Sequence, residues 1–108
     1  MKTVFYAIIS ALITTTALAD NGNTYTITIK DHMFSPTELK IPAGQKVKIT
    51  IDNQDSTPEE FESHDLNREK IINGASKGIV FVGPLEPGKY SYFGEFHEDT
   101  AQGVIIAE

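Results

Sequence analysis

The chain has 108 residues, with 15 acidic and nine basic side chains and a formal net charge of −6 at pH 7. This acidic balance argues against nucleic acid and anionic membrane surfaces as partners, and it favours the attraction of cations. There is no cysteine, which excludes disulfides, thiolate zinc sites and ordinary iron–sulfur clusters. An apolar core must therefore hold the fold together.

Residues 1–19 have the features of a secretory signal peptide. Lys2 precedes an apolar run from residue 4 to residue 13, and Ala17-Leu18-Ala19 then forms an A-x-A cleavage pattern. The apolar run is too short for a spanning helix, although an uncleaved N-terminal anchor is the alternative interpretation. We expect residues 20–108 to form one mature domain that is exported to a bacterial periplasm.

The first half of the expected domain alternates between polar and apolar side chains. Residues 24–30 read TYTITIK, which has the period of a half-buried strand. Residues 34–36 predict a turn and residues 37–41 a second short strand. Residues 45–52 alternate again. The side chains predicted to be buried in this last strand are Val47, Ile49 and Ile51.

The second half continues with short segments separated by Pro/Gly-rich or polar turns. Residues 59–64 predict a short acidic strand, and residues 68–72 an extended or turn segment. The further predicted strands are residues 77–82, whose apolar run 79–82 predicts deep burial, residues 89–93 and residues 103–107. About seven short strands with regular turn signals predict an all-β sandwich or barrel.

Several stretches of the sequence resemble a cupredoxin domain. They are FSPTELKIPAGQKVKITIDNQDS, PEEFES, LEPGKYSYFGEFH and the final GVIIA. The resemblance runs from Tyr25 to Glu108 and implies a cupredoxin-like Greek-key β-sandwich. Within that family, the sequence resembles cupredoxin-like periplasmic proteins and domains linked to bacterial ferrous-iron uptake. In that fold, the loop after the third strand and the loop before the last strand meet at one pole and share a metal.

The ligand positions of electron-carrier cupredoxins are altered here. By the resemblance, the first histidine position falls on Glu59 or Glu60, the cysteine position on Gly94 and the methionine position on Gln102. The later histidine is kept as His97. A blue-copper centre needs the cysteine thiolate for its short covalent bond. The sequence therefore excludes a blue electron-transfer site.

The remaining carboxylates and imidazole predict a metal site with harder ligands than the thiolate of a blue-copper centre. Glu60 and Glu62 lie two residues apart and therefore on one side of a strand, and the iron-uptake resemblance carries paired glutamates onto them. Glu59 shares the other side with Phe61. The predicted ligands are Glu60, Glu62, Glu95 and His97. The further candidate ligands are Glu59, Met33 and Glu98.

This ligand set favours iron, divalent copper, zinc or manganese, and the thioether of Met33 adds some preference for cuprous copper. The expected cofactor is an iron or copper ion. The competing interpretation is that the glutamates are solvated strand edges and that His97 is a surface imidazole. His32 and His64 are interpreted as surface residues, because neither matches a family ligand position.

Three functions follow from this reading. The leading hypothesis is a periplasmic iron- or copper-binding protein that assists ferrous-iron uptake, with a membrane iron permease or another uptake component as partner. The alternatives are a ferroxidase that oxidises ferrous iron before transport, and a metal-free cupredoxin-like interaction module. The sequence leaves open the metal, its stoichiometry, the electron acceptor and the oligomeric state.

Overall fold

The computed structural model describes residues 23–108, which form two packed β-sheets. The predicted signal peptide lies outside the described residues. The strands are β1 (Thr24–Lys30), β2 (Met33–Ser35), β3 (Glu38–Ile41), β4 (Val47–Asn53), β5 (Glu59–Ser63), β6 (Arg68–Ile72), β7 (Ser76–Val82), β8 (Gly88–Gly94) and β9 (Gln102–Ala107). A short 3₁₀ helix, Glu95–His97, follows β8. None of the helical structure in this part of the chain is long and apolar enough to cross a membrane.

The two sheets have the strand orders β2-β1-β4-β7 and β3-β9-β8-β5-β6. The pairs β1–β4 and β3–β9 are parallel, while the other neighbouring strands are antiparallel. The chain changes sheet after β2, β3, β4, β6 and β7, so both sheets contain strands from distant parts of the sequence. The predicted all-β sandwich is confirmed, and the ambiguous segment 68–72 is a strand.

The predicted turn at residues 34–36 is wrong, because Met33–Ser35 pairs with the end of β1 as a short antiparallel strand. The chain reverses one step earlier, at Asp31 and His32, whose φ angles are 54° and 59°. Two consecutive residues with left-handed backbone form a tight hairpin turn, but this conformation is unfavourable for most residues other than glycine and asparagine. The carboxylate of Asp55 stabilises this turn by accepting both backbone N–H groups, at 2.8 and 3.0 Å.

The core consists of the inward-facing side chains of both sheets. Val47, Ile49 and Ile51 are fully buried, as the alternation predicts. The deep burial predicted for residues 79–82 holds only for every second residue, since Ile79 and Phe81 are 43% and 48% exposed. Because β7 is an edge strand with an open outer face, its apolar run follows the two-residue period of the strand.

Three aromatic rings fill the core near the site described below. The ring centroids of Phe61 and Tyr92 are 5.0 Å apart, and Phe34 meets Tyr92 edge-on at 5.1 Å. Burial raises the pKa of Tyr92 well above its usual value. These rings pack against one another on the buried side of β5, next to Glu59.

Candidate metal centre

Three separate segments meet at one end of the sandwich. The β1–β2 turn is held by Asp55, which follows β4. The hydroxyl of Thr100 donates a hydrogen bond to the carbonyl oxygen of His32, which ties the same turn to the loop before β9. The side chain of Glu59 reaches His97 at the end of the 3₁₀ helix. The fold thus assembles this pole from contacts between residues that are far apart in sequence.

Glu59 is the buried acid of the pole, with 1% of its surface exposed. Its Oε1 accepts hydrogen bonds from the backbone N–H groups of Glu60, at 3.0 Å, and Phe96, at 2.9 Å. Its Oε2 lies 2.8 Å from Nδ1 of His97. Within residues 23–108, no lysine or arginine nitrogen lies within 4.0 Å of this carboxylate. An imidazole and two peptide groups therefore hold a carboxylate that water does not reach.

Gly94 provides the space that this carboxylate occupies. A Cβ atom at Gly94 would lie 2.6 Å from both Cδ and Oε2 of Glu59, and 2.7 Å from Cβ of Ala101. Neither distance is compatible with van der Waals contact, so any larger side chain would force Glu59 to move. The position that the resemblance matches to the copper-binding cysteine is thus filled by the carboxylate of Glu59. This donor set does not fit a blue-copper ion, since it contains no thiolate.

His32 belongs to the same cluster, although the sequence interpretation places it on the surface. Its ring stacks on that of His97 with a centroid distance of 3.6 Å and an interplanar angle of 14°. The side chains of His32 and His97 are 44% and 28% exposed. Nε2 of His32 lies 4.0 Å from Oδ2 of Asp55. The sequence signal for this arrangement is the polar Asp-His pair between two strands, which marks a two-residue hairpin turn.

Two further predicted ligands, Met33 and Glu95, are exposed and do not contact the buried carboxylate of Glu59 in the way that His97 does. Met33 follows His32 directly and is 51% exposed. Glu95 begins the 3₁₀ helix and is also exposed. An open depression of ≈ 580 Å³ forms the mouth of the site. Its lining includes His32, Glu95, His97, Glu98 and Asp99. The mouth is therefore wet and predominantly acidic.

Glu60 and Glu62 lie on the opposite side of β5, away from Glu59 and Phe61. Together with Glu69 of β6 they form a cluster that we call the outer strip, in which one carboxylate oxygen from each residue lies within 4.8 Å of the others. Partial removal from water, followed by the charges of neighbouring acids that include Glu69 and Glu95, raises the pKa of Glu60 and Glu62. The structure therefore does not bring the predicted ligands into one shell.

His64 lies outside both clusters. It is exposed, and its ring is tilted against Phe93 with a centroid distance of 5.6 Å. Its interpretation as a surface residue agrees with this placement.

Comparison with known proteins identifies the family. The model of the cupredoxin-like domain matches residues 3–107. The chain belongs to the cupredoxin-like domain family. It is also 52% identical to the uncharacterized protein RP394 of Rickettsia prowazekii (strain Madrid E) over 87 residues, which span 81% of this chain and 70% of that protein.

Solved structures share the fold of this cupredoxin-like domain. Auracyanin A, a "blue" copper protein from Chloroflexus aurantiacus, aligns with a TM-score of 0.68 at 19% identity, over 79% of this chain and 98% of its own. Amicyanin from Paracoccus versutus gives 0.63 at 18% identity, over 85% of each chain. A purple cupredoxin from Nitrosopumilus maritimus gives 0.57 at 26% identity, over 77% of this chain and 98% of its own. The predicted cupredoxin-like fold is confirmed.

The inner pair of this cupredoxin-like domain has the spacing of two metal ligands. Oxygen and nitrogen donors bind transition metals at about 2.0–2.2 Å, so two neighbouring donors on one ion lie about 3 Å apart. Oε2 of Glu59 and Nδ1 of His97 are 2.8 Å apart. At about 2.0–2.2 Å from both atoms, an ion would lie beside the line that joins them, so the imidazole and the carboxylate would have to turn towards it and give up their hydrogen bond. The adjacent imidazole of His32 and water could complete its coordination.

Proposed function

We propose that this cupredoxin-like domain binds a transition-metal cation at Glu59 and His97 and carries it in the periplasm. The cargo would be iron, or iron together with copper, and the recipient a membrane uptake component such as an iron permease. The observation that carries the proposal is the buried Glu59 carboxylate, which lies 2.8 Å from His97. The signal-like sequence of residues 1–19 supports the location, and the resemblance to iron-uptake relatives supports the cargo.

The electrostatics of the pole favour cation capture. A buried carboxylate is costly unless it is well paired, and here its only ionisable partner within 4.0 Å among residues 23–108 is an imidazole. Carboxylates at the mouth, including Glu95, Glu98 and Asp99, add negative potential where an ion would enter. The partial exposure of His97 gives access for exchange with a recipient. Capture and release are both compatible with this geometry.

The donor chemistry supports iron or divalent copper over cuprous copper. A carboxylate oxygen and an imidazole nitrogen are hard to borderline donors, and Met33 is the one soft donor beside them. We assign the ligand roles to Glu59 and His97, with Met33 and Glu95 as nearby donors. In this proposal Glu60 and Glu62 add negative field from the outer side of β5.

A metal-free interaction module is the second candidate, and one observation favours it. Both oxygens of Glu59 already have hydrogen-bonding partners, two peptide groups and one imidazole. A carboxylate with these partners could have a purely structural role, which is to hold the 3₁₀ helix against β5. Metal binding must therefore be measured directly.

The test is an anaerobic calorimetric titration of residues 20–108 with ferrous iron and, separately, with divalent copper. We expect one equivalent of metal to bind, and His97→Ala to weaken binding by at least about 100-fold, because loss of a ligand should cost more than the 10- to 100-fold that loss of a residue orienting a ligand costs. The matched control is His64→Ala, which removes an exposed imidazole outside the pole and should leave the affinity unchanged. Failure of both metals to bind the unmodified protein would support the metal-free module.

The ferroxidase alternative needs a separate measurement, because binding alone does not distinguish a carrier from an enzyme. Excess ferrous iron would be added in air and oxygen consumption followed. Beyond the spontaneous oxidation measured without protein, a carrier should oxidise no more iron than the single equivalent that it binds. Sustained turnover that is lost in His97→Ala would instead assign ferroxidase activity.

A further inference from the structure

The edge strand β7 presents two large apolar side chains to solvent. Ile79 and Phe81 are 43% and 48% exposed, while the alternate residues Val80 and Val82 point into the core. The exposed pair therefore lies on the outer face of the four-stranded sheet, whereas the acidic outer strip belongs to the other sheet. We call this region, with the cations described next, the β7 face.

Basic side chains surround the apolar pair. Lys48 is the cross-strand neighbour of Phe81, and Lys77 lies two residues before Ile79 on the same face. Nζ of Lys46 lies 4.9 Å from the centroid of the Phe81 ring, which is a cation–π distance. Three lysines are thus within reach of two apolar side chains.

Strand β6 adds two more cations along the edge of β7. Nε of Arg68 donates a hydrogen bond of 2.8 Å to the carbonyl oxygen of Phe81. Cε of Lys70 lies 3.6 Å from the position that a Cβ atom would take at Gly78, on the side of β7 shared with Val80 and Val82, so Lys70 flanks the edge of the strand and not its outer face. Lys2 is the only one of the nine basic residues outside residues 23–108, so five of the remaining eight lie at the β7 face.

Two acids lie close to these five cations: Asp52 is the cross-strand neighbour of Lys77, and Glu69 lies between Arg68 and Lys70 in β6. Within the described part of the chain, none of them has a carboxylate oxygen within 4.0 Å, and the one lysine that does is Lys40, paired with Glu108. In a chain of net charge −6, the β7 face is therefore a local region of opposite sign. The net charge of the chain conceals this asymmetry.

We propose that the β7 face docks onto an anionic phospholipid surface. Lysine and arginine near such a surface are attracted to its phosphates, and exposed aromatic and aliphatic side chains enter the interfacial layer. The cations are spread along and beside one sheet strand, an arrangement that matches a plane of headgroups better than a single acidic peptide. Glu60 and Glu62 of the acidic outer strip face away from this surface on the other sheet, and the Debye length of about 8–10 Å at physiological ionic strength limits their effect on it. Glu69, the third member of the strip, lies between Arg68 and Lys70 in β6, so the attraction rests mainly on Lys46, Lys48 and Lys77.

Docking in this way would leave the Glu59–His97 pole free. Ser76, at the start of β7, pairs with Asn53 beside the pole, whereas Phe81 pairs with Lys48 at the other end of β4. Five residues of extended strand separate Ser76 from Phe81 by ~17 Å, whereas Lys77, at the other end of the β7 face, is adjacent to Ser76. The proposal rests on the β7 face alone and does not depend on metal binding.

The test is flotation of residues 20–108 with vesicles of pure phosphatidylcholine or of phosphatidylcholine mixed with phosphatidylglycerol. This fragment carries both complete sheets and the whole core, and it lacks the apolar leader, which could bind lipid by itself. We expect flotation only with the phosphatidylglycerol vesicles, and its loss in 0.5 M salt (about a 4 Å Debye length). The double variant Lys48→Gln, Lys77→Gln should lower the partition coefficient by about 20- to 30-fold, or about fivefold per lysine.

The matched control is Lys40→Gln, Lys89→Gln, which makes the same change in net charge on strands β3 and β8 of the other sheet. It should lower partitioning by no more than about twofold, since these charges lie beyond the screening length. Equal losses in the two variants, or absence of flotation with phosphatidylglycerol, would overturn the proposal. Retention on a soluble polyanion without vesicle binding would also overturn it, and would assign the β7 face to a soluble acidic partner.

Discussion

Glu59 and the outer strip place the same functional group on opposite sides of one strand. Glu59 points inward, is shielded from water and is fixed by three hydrogen-bonding partners. Glu60 and Glu62 point outward, beside Glu69, and their raised pKa values reflect partial burial and mutual repulsion. The difference shows that the side of the strand on which a glutamate lies, and not the number of acidic residues, separates a buried, fixed carboxylate from a charged surface.

Removal of Glu59 should have the largest effect on stability. Glu59→Ala leaves two peptide N–H groups and the imidazole of His97 without their acceptor, and it opens a cavity beside Gly94. We expect a loss of about 2–4 kcal/mol in the free energy of unfolding, measured by urea denaturation. Glu60→Ala, one residue away on the outer side, should change it by less than about 0.5 kcal/mol. Equal losses for the two variants would contradict the distinction between the two sides.

Gly94→Ala tests the same buried site without touching an ionisable group. Its Cβ would lie 2.6 Å from the carboxylate of Glu59, so the side chain must leave its pocket. We expect a cost of about 1–3 kcal/mol from overpacking, measured in the same denaturation experiment. The matched control is Gly44→Ala, where no atom lies within 4 Å of a new Cβ and the cost comes only from a φ of 75°. A Gly94→Ala variant as stable as the parent would show that Glu59 does not need this space.

The charge of an acid in the outer strip should lower the stability of the fold at neutral pH, whereas the charge of a well-paired acid raises it. Because the folded-state pKa of Glu62 is raised above 4.5, its charged form destabilises the fold at neutral pH, and this effect fades as the pH falls through the raised pKa. Glu62→Gln should therefore raise the thermal midpoint at pH 7 and lose that advantage as the pH is lowered towards 4.5.

Asp65 provides the contrast for this experiment. The backbone N–H and the hydroxyl of Ser91 lower its pKa, so its charge stabilises the fold above pH 3.8 and that contribution is lost as the pH falls through the lowered pKa. Asp65→Asn should lower the thermal midpoint at pH 7. A decrease in midpoint for Glu62→Gln at pH 7 would contradict repulsion within the outer strip.

Much of the fold could be predicted because burial on one side of a strand leaves a two-residue period. Val47, Ile49 and Ile51 are an example, and they are buried as the pattern predicts. The run 79–82 was overinterpreted, because four consecutive apolar residues conceal which of them face inward. Strand β2 was missed because its turn uses Asp31 and His32, which depend on the distant Asp55 to stabilise left-handed backbone.

The candidate site was harder to predict than the fold. Parity correctly placed Glu59 on the side of Phe61, but only the three-dimensional structure shows that this side leads to His97. The stacking of His32 on His97 joins residues 65 positions apart, and no local pattern encodes it. The role of Gly94 likewise depends on a side chain from another strand.

The central claim is that a metal binds on the inner side of β5, and paired conservative variants test it most directly. Residues 20–108 carrying Glu59→Gln would be titrated anaerobically with ferrous iron beside the double variant Glu60→Gln, Glu62→Gln. Our account predicts that Glu59→Gln weakens binding by about 100-fold or more, while the outer double variant changes affinity by only a few-fold through long-range charge. Binding that survives Glu59→Gln but is lost in the outer double variant would contradict the account and move the metal to the outer strip.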